Sequence, residues 1–415
     1  MKKIESGTMH LQNIIFALIV FLSLLGCKEP NAPVSINAEF PGGNIKIDSI
    51  VENTVFLKPD QKGTDTTKGN WFYWYFEVNG CEGRNLKFVF NQQHSITRKG
   101  PAYSKDKGKT WQFLYPDTLA DQDYFTFSFD DDDHSVRFCL TIPYTNKDLN
   151  TFEKNFQRDY ETLYQKNVLT KTSGGRQANY LVIKNPDEEN IQTTFFITAR
   201  HHACETTANF VWEGMVEIFA EKIKQNHPEV KGTQMIAVPF VDFDGVQLGE
   251  QGKNRFPHDH NRDYIQFRYP ETEALAEVFK NQSAQSKIIA IDLHSPWIKY
   301  QQNEWLFFIG QEKEAFNQKI TALSNTIASL HNGELPFDED KGIFPFARDW
   351  NNRTLEQSYL IEQMSFAQWC SLQPNVVMAT TLEIPYSHVM GTTISKENLR
   401  QFGRSVMNSL IQSRQ

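Results

Sequence analysis

The chain has 415 residues, of which 40% are hydrophobic, 13% aromatic and 22% charged, a composition too apolar and aromatic for a disordered chain. Its formal net charge of −8 lacks the basic excess of a nucleic-acid footprint, so no nucleic-acid partner is expected. No apolar run reaches the roughly 18 residues of a spanning helix, which excludes a polytopic membrane protein, and at roughly 150 residues per domain the length suits two or three domains.

Lys2 and Lys3 precede an apolar run from Ile14 to Leu25, which is too short to cross a bilayer and suits the core of an export signal. The run ends in Leu24-Leu25-Gly26-Cys27, which resembles the bacterial lipobox. That resemblance implies removal of residues 1–26, a lipid on Cys27 and a place in the bacterial cell envelope, on its periplasmic or surface face. The other cysteines, Cys81, Cys139, Cys204 and Cys370, have no CxxC spacing, so a thiolate zinc site is not expected. Export permits a disulfide, and whether Cys81 and Cys139 are bonded stays open.

Residues 27–36 read as a tether. From 37 to 147, short aromatic and β-branched runs alternate with turn residues, as in Trp71 to Val78, Leu86 to Phe90 and Val136 to Leu140, and predict a β-sandwich domain. The run Asp130 to Asp133 reads as a solvated hairpin tip, since the ligand spacing of a calcium loop is absent. The aromatic cluster Trp71–Phe76 reads as core in preference to a glycan platform.

From 148 to 415 the period changes. A buried strand at Thr194–Thr198 is followed by Phe210, Val211, Met215, Phe219 and Ile223 at helical spacing. Strands at Met235–Val238, Ile288–Leu293 and Val376–Leu382 then alternate with helices at Glu273–Phe279, Ala315–Leu330 and Leu399–Ile411. This predicts an α/β domain with a mixed, mostly parallel sheet flanked by helices.

Two HxxE runs occur, at His202–Glu205 and at His331–Glu334. The second closes a long amphipathic helix and reads as a cap and loop. The first follows the carboxyl end of a strand, where open α/β sheets place ligands. A catalytic zinc takes three protein donors and keeps one position open. His202 and Glu205 supply two, and His294, at the end of the Ile288–Leu293 strand, offers the third.

This set resembles the zinc metallocarboxypeptidases of the carboxypeptidase A/B family, in particular the cytosolic-carboxypeptidase-like branch. The resemblance rests on His202, Glu205 and His294, on Asp259-His260-Asn261-Arg262 after the Asp244-Gly245 turn, on Thr381-Leu382-Glu383, and on Trp71-Phe72-Tyr73 with Ile142-Pro143-Tyr144-Thr145 in the N-terminal region. It covers about residues 40–410 and implies one zinc ion and hydrolysis of the last amide bond of a peptide. It further implies Glu383 as general base, Arg255 as the oxyanion cation, Asn261 and Arg262 as readers of the terminal carboxylate, and Asp259 as the carboxylate behind a zinc-bound imidazole. Tyr359 is the nearest counterpart of the family's mobile tyrosine, although its segment is not Gly-rich, and a cis Ser295–Pro296 bond is expected.

The chemistry agrees residue by residue. A carboxylate at the end of an apolar strand is costly without a role, and hydrolysis needs one to move a proton. An arginine fork suits a carboxylate, and a ligating imidazole wants an acceptor behind it. Cell-wall muropeptides are the alternative substrate. A non-catalytic lipoprotein that binds glycan or protein on the same scaffold is the reading from a different class, and the complete donor, base and arginine set opposes it.

Overall fold

A computed structural model of the protein describes residues 33–62, 71–298 and 304–414. The export signal, Cys27 and the start of the tether lie outside the described residues. Among the described residues no helix is long and apolar enough to cross a membrane.

The N-terminal region forms two sheets. One runs in the order Ser35–Asn37, Tyr75–Asn79, Ser135–Cys139, Ala102–Ser104, Gln112–Phe113, and the other Lys46–Val51, Thr54–Lys58, Asn85–Phe90, Tyr124–Ser128. Alternation along Thr54–Lys58, Asn85–Phe90, Tyr124–Ser128 and Ser135–Cys139 turns the large side chains inward, whereas Lys46–Val51 is exposed throughout. Phe138 of the first sheet meets Phe88 and Phe125 of the second with ring centroids 5.4 and 5.3 Å apart. Trp71, Phe72, Tyr73, Trp74, Tyr75 and Phe76 are all buried, so this run is core and not a binding platform.

Two details differ from expectation, and the open question of Cys81 and Cys139 is answered. Ser35 and Ile36, read as the end of the tether, belong to an edge strand, Ser35–Asn37, on Tyr75–Asn79. Asp130–Asp133 is not a hairpin tip. It joins a strand of one sheet to a strand of the other, and Lys105 Nζ lies 2.5 Å from Asp130 and 2.7 Å from Asp133. Cys81 and Cys139 are buried free thiols.

The second region is an eight-stranded mixed sheet in the order Tyr164–Lys171, Gln177–Lys184, Thr233–Val238, Thr193–Ala199, Lys287–His294, Val376–Glu383, Phe307–Ile309, Ile343–Phe344. The four central strands are parallel to one another and read as nearly continuous apolar runs because helices cover both faces. Helices Thr207–Lys224, Glu314–Leu330 and Lys396–Ser413 pack on one face, and Pro270–Ser283 with Phe366–Cys370 on the other. A helix at Asn146–Tyr160, not foreseen, opens on a Thr145–Asp148 capping box and buries Leu149, Phe152 and Phe156. The second HxxE run is structural: His331 ends the Glu314–Leu330 helix and binds Ser405 Oγ and the Leu335 carbonyl.

Candidate active site

The carboxyl ends of the central strands converge on a cleft of about 720 Å³. The chain leaves the Thr193–Ala199 strand through Arg200, which holds a left-handed φ of 65°. For a side-chain-bearing residue that conformation costs on the order of 1 kcal/mol. It persists because the buried guanidinium binds the Ala203 and Tyr144 carbonyls and Asn209 Oδ1. This knot folds His202-Ala203-Cys204-Glu205 into a tight turn facing the cleft.

His294 ends its own strand and stands in direct register with Glu383 on the next. His202 Nδ1 and His294 Nδ1 are 3.2 Å apart. Glu205 Oε1 is 3.0 Å from the first and Oε2 is 2.7 Å from the second. Two donors bound tetrahedrally to one zinc at about 2.0–2.1 Å stand about 3.3 Å apart. Glu205 Oε2 is fully buried and, apart from its contact with His294, has no hydrogen-bond partner. Two imidazole nitrogens and a carboxylate aimed at one point, with a buried oxygen left unsatisfied, fit a zinc ion.

Each imidazole is backed on its far side. Asp259 Oδ1 lies 3.4 Å from His202 Nε2, and Asp292 Oδ2 lies 2.6 Å from His294 Nε2. Asp292 also binds His201 Nδ1 at 2.8 Å, and His201 Nε2 meets Tyr264 Oη at 2.6 Å, which makes a buried chain behind the donors. Burial works to raise both carboxyls, but His202 and Arg262 around Asp259, and His201 and His294 around Asp292, hold them well below the usual range. Asp292 was not foreseen. It lies two residues before His294 on one strand face, a spacing the sequence displays.

Glu383 lines the cleft beside the donors, and its Oε2 has no hydrogen-bond partner. Burial pushes its carboxyl up to about 7 against the pull of His294 and Lys253. A cation in the donor cluster pulls it down again. Asn261 and Arg262 sit on a short 3-10 turn, His260–Arg262, and both line the cleft. The Asn261 amide accepts from Phe366 N at 3.0 Å and lies 3.2 Å from His294 Nε2. Arg353 is a neighbour of Arg262: burial, and then the Arg262 charge, lower its pKa.

Two expected residues are not brought to the cleft. Arg255 is buried among Asp242, Glu250 and His260 and does not line it. Tyr359 is 56% exposed and does not line it either. Its helix, Leu355–Leu360, turns Ser358 inward, and the next residue, about 100° further round, faces out. Among the described residues the cis proline bond is Phe256–Pro257, and Ser295–Pro296 is trans. Lys253, unforeseen as a site residue, lines the cleft with its Nζ 2.6 Å from Glu205 Oε1.

Comparison with known proteins agrees with this geometry. The chain is 23% identical over 288 residues to Cytosolic carboxypeptidase 6 of Caenorhabditis elegans, covering 62% of this chain and 61% of that one. It is 25% identical over 259 residues to Cytosolic carboxypeptidase 6 of Mus musculus, covering 56% of this chain and 46% of that one. The chain thus spans about half to three-fifths of the length of these relatives. In fold it is similar to a metallo-carboxypeptidase from Burkholderia cenocepacia, with TM-score 0.73 and 16% identity over 92% of this chain and 99% of that one. It is likewise similar to a metallo-carboxypeptidase from Pseudomonas aeruginosa, with TM-score 0.71 and 17% identity over 91% and 98%. Both likenesses extend through the N-terminal sandwich. The zinc carboxypeptidase family model matches residues 149–405, a span that holds the whole donor cluster and Glu383. The chain therefore belongs to the zinc carboxypeptidase family, and zinc is the metal that this membership implies.

Proposed function

We infer that the protein is a carboxypeptidase that hydrolyses the last amide bond of a peptide, with Glu383 as general base. The observation that carries this reading is the meeting of His202, Glu205 and His294 beside a buried, unpaired carboxylate in one cleft. When bound by those three residues, zinc acidifies water and polarises a carbonyl. Glu383 takes the proton from the attacking water as the oxygen–carbon bond forms, and delivers it to the amine nitrogen as the carbon–nitrogen bond breaks. Asp259 and Asp292 fix the orientation of the two imidazoles. Arg262 reads the terminal carboxylate, with Asn261 beside it and Arg353 adding positive charge. Arg353 and Gln368 also line the cleft and shape the side-chain pocket.

The lipobox at Leu24–Cys27 supports an exported, lipid-anchored enzyme of the bacterial envelope, which meets peptides and muropeptides. The test is purification of the mature chain, measurement of its zinc content, and incubation with peptides that vary in the last residue. Release of single C-terminal residues supports the reading, and a zinc-loaded protein that releases none refutes it.

A further inference from the structure

Attack on an amide carbonyl leaves negative charge on its oxygen, and a preorganised cation or donor there is worth a large share of the rate. The loop after Gly249 carries two cations, Lys253 and Arg255, and only one of them faces the reaction. Arg255 Nη2 is 2.7 Å from Asp242 Oδ2 and also pairs with Glu250, while Nη1 is 3.1 Å from His260 Nδ1. To reach the cleft it would strand the buried Asp242 carboxylate, which is strongly unfavourable.

Lys253 lines the cleft with His202, Glu205, His294 and Glu383. Its Nζ is 2.6 Å from Glu205 Oε1 and donates to the Ser295 carbonyl at 2.9 Å. An ammonium has three donors, so among the described residues one remains for a substrate oxygen. The backbone delivers it there. Gln251 O accepts from Cys204 N at 3.0 Å, and Gly252, at φ 82°, lies so close to the ligand turn that a Cβ would stand 2.3 Å from Ala203 N. Residue 253 therefore emerges against the metal-donor turn itself.

We propose that Lys253 is the catalytic cation that stabilises the oxyanion, and that Arg255 is a positioning residue that holds the Asp242 turn. This rests on the carboxypeptidase reading above. The test compares Lys253→Met, Lys253→Arg and Arg255→Lys with the wild type, all zinc-loaded. The readouts are kcat and KM on one peptide, the dissociation constant of a phosphonate analogue of that peptide, and zinc affinity by chelator competition. For Lys253→Met, kcat falls about 100- to 1000-fold, KM stays within about 3-fold, and the phosphonate weakens by a factor similar to kcat. Zinc affinity stays within about 3-fold. Lys253→Arg regains about 10-fold or more, and Arg255→Lys leaves the ratio of phosphonate to substrate affinity within about 3-fold. Unchanged kcat in Lys253→Met, a kcat loss without phosphonate weakening, or a zinc loss that tracks kcat overturns the proposal. If the Met variant does not fold, Lys253→Gln against Lys253→Arg makes the same comparison. A wild type that holds zinc and cleaves no peptide is the separate failure of the underlying reading.

Discussion

His294 and Glu383 end neighbouring parallel strands in direct register, so the third candidate metal donor and the carboxylate proposed as general base are spaced by the hydrogen bonds of one sheet. Neither depends on a loop for its position. The buried Glu383 side chain can then be changed without moving the donors.

Glu383→Gln keeps the shape and removes the proton acceptor. General acid–base assistance contributes about 10²–10⁴-fold. Steady-state kinetics of this variant are expected to show kcat lowered by that range, with KM and zinc content close to wild type.

Asp292 touches two imidazoles at short range, whereas Asp259 lies 3.4 Å from one. Loss of a carboxylate behind a ligand typically costs about 10–100-fold in metal affinity. Chelator competition is expected to place Asp292→Asn at the upper end of that range and Asp259→Asn at the lower. Stripping the metal from the wild type lowers Tm by several degrees, because an ion that binds only the folded state stabilises it by mass action.

Glu213 is buried beneath Arg400 and Tyr144, and burial pushes its carboxyl up to about 7 despite those partners. A folded-state pKa above the unfolded value of 4.5 favours the protonated form. The stabilisation is then full below about pH 4.5 and is lost as pH rises through about 7. Denaturant unfolding of wild type relative to Glu213→Gln is expected to show a relative loss on the order of 1–3 kcal/mol between about pH 4 and pH 8.

Gly252→Ala puts a Cβ into the Ala203 backbone at a left-handed φ. A loss of about 2 kcal/mol or more is expected, together with reduced activity. Gly391 has φ 91° and nothing within 4 Å of the added Cβ, so Gly391→Ala carries the backbone term alone and costs about 1 kcal/mol. Thermal melts of the two variants check the difference.

The donors were legible because His294 ends an uninterrupted apolar strand, Lys287–His294, and His202 and Glu205 follow directly on another, Thr193–Ala199. The helix Asn146–Tyr160 is marked only by Thr145 and the spacing of Leu149, Phe152 and Phe156, a sparse apolar stripe among charges and so a weak signal. Other features were not written locally. Lys253 and Arg255 share one short run, and only the distant carboxylates Asp242 and Glu205 decide which cation is tied up behind the cleft and which enters it. Asp130–Asp133 separates adjacent strands that belong to different sheets, a choice made by long-range pairing. Proline at 296 permits a cis bond without requiring one.

The sandwich grips the Lys253 loop through Gln251 and Gly249. Gln251 Oε1 accepts from Phe72 N at 2.7 Å and from Tyr73 N at 3.3 Å, and Asn44 Nδ2 donates to the Gly249 carbonyl at 2.6 Å. Phe72 also stacks edge-on to Trp297 of the cleft wall. The β-domain is thus no detachable passenger. A fragment trimmed to residues 148–415 would lose the hydrogen bonds from Asn44, Phe72 and Tyr73 that brace the Lys253 loop.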